Sequence, residues 1–311
     1  MMTGRRLAGP LPALSLLFAP FLAAEEARPP FEKLLQLNAA KIFGGEVHIE
    51  GDRVTIHFKK PGQFNRAFEG TGIVNPEEIK GEANKKILER PAWDDREKKK
   101  RKKEDGGGGA IPNVAVVGRG DGDWQSRFEL SGDVKFAFKL RIPAIQKEAQ
   151  LSVWLNKTPK SYIQTSFFQT AVLHWGGRTK RAAAPKEYQV SPDKWFDKLD
   201  LVPVEMLHQM GKFSVKMKGN EILAFDEAGD ASSGRIALSF RKLAFVLSDV
   251  EISGKFDRAW CEGQLKDLEE KKELVSKDPP PPAAAEPPSR KAAKKDGDDK
   301  AQKEKDAEEE L

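Results

Sequence analysis

The sequence predicts an all-β protein, an antiparallel β-sandwich of the jelly-roll kind. Three observations predict it. Apolar residues alternate with polar ones over much of the stretch 46–256, such runs recur about every ten residues with Gly, Asn, Asp or Ser turns between them, and no long helical period interrupts them. The clearest run is 134–142, where five large apolar side chains share one face and therefore need a second layer against them.

The composition separates a folded part from charged appendages. Charged residues make up 32% of the 311-residue chain, and the excess lies in two tracts, 94–105 and 291–311. Without these tracts the charge content is ordinary, which argues against a nucleic-acid-binding surface. One cysteine and four scattered histidines argue against a disulfide framework or a zinc site, so we expect neither a metal nor a cofactor.

The first 24 residues have the pattern of a signal peptide. Arg5 and Arg6 precede an uncharged stretch, 7–24, that ends in small residues before Glu25. Prolines at positions 10, 12 and 20 argue against a retained helical anchor. We therefore expect an exported protein, periplasmic or extracellular, whose mature chain has no transmembrane segment. Its lone Cys261 is then predicted to be a small buried apolar residue.

The mature chain opens with a short helix and a hairpin. Leucines within 31–42 predict one or two helical turns, and the alternation in 47–58 predicts a hairpin whose turn is Gly51-Asp52. This register sets Ile49 against Val54 and Glu50 against Arg53. His48 and His57 then share one face of the hairpin and point to solvent, and no third ligand nearby completes a metal site.

A charged insertion follows, at about 75–112. This stretch lacks the apolar residues that repay ordering, so we interpret it as a disordered loop within one domain, 25–277; a linker between two domains is the alternative. Its basic centre offers a site for a polyanion if it is not simply a solvated linker. That centre consists of Lys98, Lys99, Lys100, Arg101, Lys102 and Lys103.

The later segments supply most of the predicted sheet. A turn at 131–133 separates a strand near 124–130 from the strand 134–142, and Asp121-Gly122-Asp123 is interpreted as a polar turn rather than a calcium loop. A short amphipathic helix is predicted at 264–277, and the Pro-rich, charged tail 278–311 is predicted to be disordered. Further strands are predicted at 151–155, 162–175, 213–217, 222–225, 236–240, 243–247 and 250–252.

Four sequence segments together resemble a known superfamily. They are WQSRFELSGD at 124–133, FSVKMKGN at 213–220, GRIAL at 234–238 and LSDVEISG at 247–254. This order of segments resembles the concanavalin A-like lectin/glucanase superfamily over residues 42–256, particularly secreted bacterial domains related to 3-keto-disaccharide hydrolases. The resemblance implies two packed, curved antiparallel sheets, a first strand that pairs near the last, and glycan contacts on the concave face.

The acidic residues that the resemblance would require for catalysis are missing. The chain has no Glu-x-Asp-x-x-Glu pattern, in which carboxylates at alternate strand positions flank a glycosidic bond. It also lacks the Asn-Ser-Gly strand ending associated with the keto-disaccharide hydrolases. Glu129 and Asp133 are the closest acidic pair on the predicted core strands, and we expect both to face solvent. The sequence therefore favours a non-catalytic protein.

Aromatic and amide side chains are the candidates for contact with a sugar. An aromatic face suits the apolar C–H side of a pyranose, and amides suit its hydroxyls. Trp154 is the most informative candidate, because it alternates out of phase with its apolar neighbours and should lie on the outer face. The alternative is that these aromatics belong to the core or its rim. The candidates are Trp124, Trp154, Tyr162, Trp175, Gln164 and His174.

Together these observations predict an exported, non-catalytic sandwich that binds a glycan or another surface polymer. Two alternatives remain open. One is a glycoside-processing hydrolase of the same fold, and the other is a scaffold that acts electrostatically through its charged insertion and tail.

Overall fold

A computed structural model describes residues 29–81, 85–89, 109–143, 148–159, 161–167, 171–178, 186–189, 201–226 and 233–278. The signal peptide, the basic tract 98–103 and the tail beyond 278 lie outside these residues, so those three predictions stay predictions. Short 3-10 turns occur at Pro76–Glu78 and Lys86–Leu88, so these two parts of the stretch 75–112, predicted to be a disordered loop, are ordered. In chain order the helices and strands are α1 (Phe31–Phe43), β1 (Glu46–Glu50), β2 (Arg53–Phe58), α2 (Gln63–Ala67), β3 (Phe68–Gly70), β4 (Ile73–Val74), β5 (Val114–Ser126), β6 (Leu130–Arg141), β7 (Gln150–Lys157), β8 (Ser161–Phe167), β9 (Ala171–Arg178), β10 (Lys186–Gln189), β11 (Val202–Gln209), β12 (Lys212–Met217), β13 (Asn220–Asp226), β14 (Arg235–Phe256) and α3 (Arg258–Glu270).

The strands form two sheets that share the long strand β14, and every pairing is antiparallel. The N-terminal half of β14 lies between β7 and β5, which gives a first sheet of order β10-β9-β8-β7-β14-β5 with β3 and β4 along its edge. The C-terminal half lies between β6 and β2, which gives a second sheet of order β13-β12-β11-β6-β14-β2-β1. The predicted antiparallel jelly-roll sandwich is confirmed.

The N-terminal hairpin has the predicted register and the predicted place in the sheet. Ile49 pairs with Val54 and Glu50 with Arg53. Strand β2 then pairs with the end of β14, where Ile56 lies opposite Ile252. The first hairpin therefore adjoins the last strand, as the superfamily resemblance implies.

The core fills the space between the two sheets. The inward residues predicted in 134–142, four in β6 and Ile142 just after it, are at most 3% exposed, and they belong to one cluster with apolar residues of both sheets. Aromatic rings occupy much of its centre; Phe64 and Phe68 stack with centroids 4.1 Å apart. Cys261 is fully buried in the same cluster, as predicted.

Two helices pack against each other beside the hairpin. Helix α1 ends at Gly44, whose φ of 82° suits glycine. Helix α3 begins where the Asp257 carboxylate accepts a hydrogen bond from the Trp260 N–H, and it ends at Glu270. The helix predicted at 264–277 is therefore placed too late, because the N-cap at Asp257 starts it earlier and Val275 lies beyond its end.

Two predicted turns are wrong because glycine occurs inside strands here. Asp121-Gly122-Asp123 lies within β5, where Gly122 lets the chain pass close to its neighbours; a Cβ there would lie 2.3 Å from the Thr71 carbonyl oxygen. Ser131-Gly132-Asp133 lies within β6, with Gly132 at a φ of 65° beside a register shift against β14. The chain reverses instead at 127–129.

Strand boundaries also differ from the prediction in three places. The run 162–175 forms two strands, β8 and β9, and the three runs in 236–252 form one 22-residue strand, β14, interrupted by bulges. Strand β11 was not predicted, because Pro203 argues against a strand between two partners. The structure nevertheless places β11 between β6 and β12.

Candidate functional site

The outer face of the first sheet carries a row of neutral polar side chains around one tryptophan. Leu151, Val153 and Leu155 point into the core with no exposed surface, so the alternate residues of β7 point outward. Trp154 is one of them and is partly exposed. We call the outward side chains of β7 and β8 the Trp154 face; its members are Gln150, Ser152, Trp154, Tyr162, Gln164 and Ser166.

Strand register sets these residues side by side. Trp154 lies opposite Gln164 and Ser152 opposite Ser166 in the pairing of β7 with β8. On the other side of β7, Trp154 adjoins Ala237 of β14, which in turn lies opposite Gln125 of β5. The small side chain of Ala237 therefore separates the indole from the next amide along the row.

Hydrogen bonds connect the Trp154 face into one network. The indole N–H of Trp154 donates to Gln164 Oε1 at 3.0 Å, and Gln164 Nε2 donates to Ser166 Oγ at 3.0 Å. The network continues through Ser152 Oγ, which lies 2.6 Å from Ser166 Oγ, to Gln150 Nε2, which donates to Ser152 Oγ at 2.6 Å. These bonds fix the plane of the indole and the orientation of the Gln164 amide before any ligand arrives.

The surroundings of the indole add one cation and one further aromatic ring. The Nζ of Lys157 lies 4.8 Å from the centre of the Trp154 ring, within the range of a cation–π contact. Tyr162 is partly exposed two residues before Gln164 on β8, and it lies opposite Gly177 of β9. Because glycine has no side chain, Gly177 does not fill the space on β9 beside Tyr162.

Trp124 does not belong to this face, contrary to its place among the candidates. It is 1% exposed and points into the core, where its ring lies 5.0 Å from that of Phe240 and 5.4 Å from that of Phe64. Its indole N–H donates to the Thr71 carbonyl oxygen at 2.8 Å. The side chain therefore completes the core and is not available to a ligand.

The other candidates are placed only in part. The backbone of Trp175 lies opposite Gln164 and that of His174 opposite Thr165 in the pairing of β8 with β9. The side chains of Trp175 and His174 lie outside the described part of the chain, as do all atoms of Lys98, Lys99, Lys100, Arg101, Lys102 and Lys103. Their proposed contacts stay predictions.

Acidic side chains near the Trp154 face are held by a cation that the sequence did not single out. Arg235 Nε lies 3.4 Å from Glu129 Oε1, and Arg235 Nη1 lies 3.8 Å from Glu69 Oε1. Asp133 accepts a hydrogen bond from the Met210 N–H at 3.0 Å. Sequence reasoning missed the cluster of Arg235, Glu69 and Glu129 because these three residues come from distant segments of the chain.

Clustered metal ligands and long apolar helices are both absent from the described residues. In that part of the chain, no three His, Cys, Asp or Glu side chains cluster closely enough to hold a metal. Asp121 instead accepts a hydrogen bond from the Lys242 N–H at 2.7 Å. The described helices also include none that is long and apolar enough to cross a membrane.

Comparison with known proteins gives distant likenesses of fold. No protein-family model matches the chain, and no curated protein matches it. Among solved structures it is similar to a prokaryotic β-1,3-1,4-glucanase (lichenase) derived from a mouse hindgut metagenome, with 10% identity, a TM-score of 0.40, and 66% of this chain and 99% of that one covered. It is also similar to a carbohydrate-binding module from Bacillus subtilis, with 13% identity, a TM-score of 0.36, and coverage of 44% and 86%.

A Bacillus licheniformis beta-glucanase gives a similar result, with 11% identity, a TM-score of 0.36, and coverage of 43% of this chain and 71% of that one. Solved structures of the concanavalin A-like lectin/glucanase fold are thus among those to which this chain is similar. Because each of these TM-scores is below 0.5, the likenesses carry no argument, and any function has to rest on the geometry of the Trp154 face.

Proposed function

We propose that this protein is an exported, non-catalytic carbohydrate-binding protein that holds a glycan on the Trp154 face. The observation that carries the proposal is a partly exposed indole locked by hydrogen bonds into a row of neutral amides and hydroxyls. An indole ring suits the C–H face of a pyranose, and amide and hydroxyl groups suit the hydroxyls at its edge. Because the network is formed in advance, little ordering entropy is lost on binding.

The outer face of the second sheet provides an internal comparison. There, Lys135 Nζ lies 2.9 Å from Glu251 Oε1, and Lys216 Nζ lies 3.3 Å from Glu205 Oε1. Such alternating charges are typical of a face that water covers. The Trp154 face instead carries neutral groups: Trp154 and Gln164 are partly exposed, and Ser166, which is fully buried, orients the Gln164 amide through its hydrogen bond. Neutral polar groups suit a neutral, hydroxyl-rich ligand, since no buried charge has to lose its water.

The acid cluster at Arg235 favours binding without cleavage. Hydrolysis of a glycosidic bond uses two carboxyl groups that flank the bond, one as an acid and the other as a nucleophile or base. Glu69 and Glu129 are instead both ion-paired to the Arg235 guanidinium. The two carboxylates do lie close together, which is the one observation that favours the alternative of a glycoside hydrolase.

Export is part of this proposal and is supported by the sequence alone. The basic, apolar and small-residue segments within 1–24 have the order of a signal peptide, and we propose that cleavage follows Ala24. Release of a chain that begins at Glu25 into the periplasm or medium, read by N-terminal sequencing, is the expected result. A cell-associated chain that retains its first residues would contradict it.

The binding proposal is tested by screening the full mature chain on a glycan array at two salt concentrations. We expect hits that are insensitive to salt and that weaken about tenfold in Trp154→Ala, because an aromatic contact contributes about 1 kcal/mol or more beyond its buried area. Met210→Ala is the matched control, since Met210 is 85% exposed on the hairpin between β11 and β12 and should leave binding unchanged.

Two other outcomes would replace the proposal. Shortened oligosaccharides in the binding mixture, detected by mass spectrometry and abolished in Glu129→Gln, would establish the hydrolase. Hits that disappear at high salt and survive in Trp154→Ala would instead favour electrostatic binding by the insertion or tail.

A further inference from the structure

A separate cavity of about 410 Å³ lies beside the edge of the first sheet. Its floor includes Val117 of β5, which pairs with Val74 of β4, and its wall includes residues near the 3-10 turn at 86–88. Arg119 lies on its rim, six residues along β5 from Gln125 in the row of Trp154. At about 3.3 Å per residue this separation is roughly 20 Å, so the cavity is distinct from the Trp154 face.

Positive charge dominates the lining of the cavity. Four cationic side chains, those of Lys80, Lys86, Arg119 and Arg141, line it together with a single acid, Glu78. The side chains of Lys86 and Arg119 form no ion pair with any residue that the structure describes. Like charges gathered around one cavity repel each other, and an anion bound between them would relieve that repulsion.

One of these cations is held in place. Arg141 is partly buried, and its Nη1 donates to the Ile87 carbonyl oxygen at 3.4 Å. This contact ties the guanidinium to the segment that forms the cavity wall.

The rest of the lining is apolar. Val117 is 1% exposed and belongs to a small apolar cluster separate from the main core, and Val74, Ile79 and Ile87 pack against that cluster while staying partly exposed. A bare inorganic anion has no apolar surface to bury against these side chains. A cavity lined by both apolar and cationic side chains suits a molecule with an apolar body and one acidic group, and the volume lies in the range of small-molecule sites.

We propose that this cavity binds a small organic carboxylate with an apolar body. The carboxylate accepts hydrogen bonds from Arg119 and Lys86 at the rim, and the apolar part lies on Val74, Ile79 and Val117. This site does not depend on the proposed glycan function, because no residue of the Trp154 face takes part in it.

The test uses three probes that separate the two features of the cavity. Naphthaleneacetate carries both the apolar body and the carboxylate, naphthaleneacetamide has the same body without the charge, and acetate has the charge without the body. Titration calorimetry on the full mature chain should detect naphthaleneacetate binding at least about tenfold tighter than either of the others, because hydrogen bonds between charged groups are the stronger ones.

Variants then assign the binding to the cavity. Arg119→Ala and Lys86→Ala should each weaken naphthaleneacetate binding about tenfold, and both residues are exposed, so the fold should be retained. Lys212→Ala is the matched control, since it removes one exposed positive charge from the second sheet. Equal affinity for the acid and its amide, or equal losses in all three variants, would overturn the proposal. Glycan-array hits should be unaffected by Arg119→Ala.

Discussion

Asn38 and Val275 exchange two hydrogen bonds across 237 residues of sequence. Asn38 Nδ2 donates to the Val275 carbonyl oxygen at 3.0 Å, and the Val275 N–H donates to Asn38 Oδ1 at 2.9 Å. Asn38 is fully buried in α1, and its Nδ2 also donates to the Leu34 carbonyl oxygen at 2.8 Å. One side chain thus fixes the segment that follows α3 against the first helix.

Replacing Asn38 should loosen that segment and destabilise the protein. We expect Asn38→Ala to lower the free energy of unfolding by about 1 to 3 kcal/mol. The peptide groups of Leu34 and Val275 would lose their hydrogen bonds to the Asn38 side chain, and these groups are at most partly accessible to water. Urea unfolding followed by circular dichroism measures the difference. Asn220→Ala is the control, since Asn220 is exposed at the start of β13 and its replacement should change stability by less than about 1 kcal/mol. Equal effects of the two substitutions would contradict the role given to Asn38.

Sequence patterns predicted the elements whose structure depends only on residues close together in the chain. The hairpin at 46–58 followed from its own alternation and turn residues, and the inward face of β6 followed from five alternating apolar residues. Neither needed information from elsewhere in the chain. The failures involve contacts between distant segments. Gly122 looks like a turn residue until Thr71 and Phe240 are placed against it, and β11 is recognisable only between its two partners.

The same limit applies to the candidate site. Alternation alone placed Trp154 on the outer face, and the structure adds the partner strands that bring Gln164 and Ser166 to it. Trp124 was misjudged because the bulk of its indole suits a ligand site and a core equally well. Arg235 was missed because it contacts Glu69 and Glu129 only after β3 and β14 are both placed beside β5.

Truncation of the two tryptophans should therefore cost very different amounts of stability. We expect Trp124→Ala to lower the free energy of unfolding by about 3 to 5 kcal/mol, since it leaves a large cavity among Phe64, Phe240 and Phe245. Trp154→Ala removes a partly exposed ring and should cost much less stability. Thermal unfolding of both variants measures the contrast. A cost for Trp154→Ala as large as that for Trp124→Ala would place Trp154 in the core and remove the basis for the glycan site.

Alanine substitution at two glycines should change stability in opposite directions. A Cβ at Gly118 would lie 2.1 Å from Phe245 Cε1, and that ring is fully buried, so Gly118→Ala should destabilise the protein by about 1 to 3 kcal/mol. A Cβ at Gly263 in α3 would meet nothing within 4 Å, so Gly263→Ala should stabilise the protein by about 0.5 to 1 kcal/mol through the higher helix propensity of alanine. Denaturant midpoints of the two variants should move in opposite directions, and a shared direction would contradict the packing at Phe245.

The buried thiol of Cys261 should make stability depend on pH in the alkaline range. Burial, with smaller contributions from the nearby Asp257 and Glu262 carboxylates, raises the pKa of this thiol from 9.0 to about 12. The thiol therefore stays neutral in the folded protein while it ionises in the unfolded chain. The raised pKa favours the folded state fully below pH 9, and this contribution is lost as the pH rises toward 12.

Cys261→Ala removes this titration and supplies the comparison. The variant should be less stable than the parent near neutral pH, because it leaves a small cavity in the core. Above pH 9 the parent should lose stability faster than the variant, by about 1.4 kcal/mol per pH unit, since lysine and tyrosine titrations are common to both proteins. The folded parent should also resist iodoacetamide until it is unfolded in urea. Parallel pH profiles, or rapid alkylation of the folded protein, would show that the thiol is not buried as the structure has it.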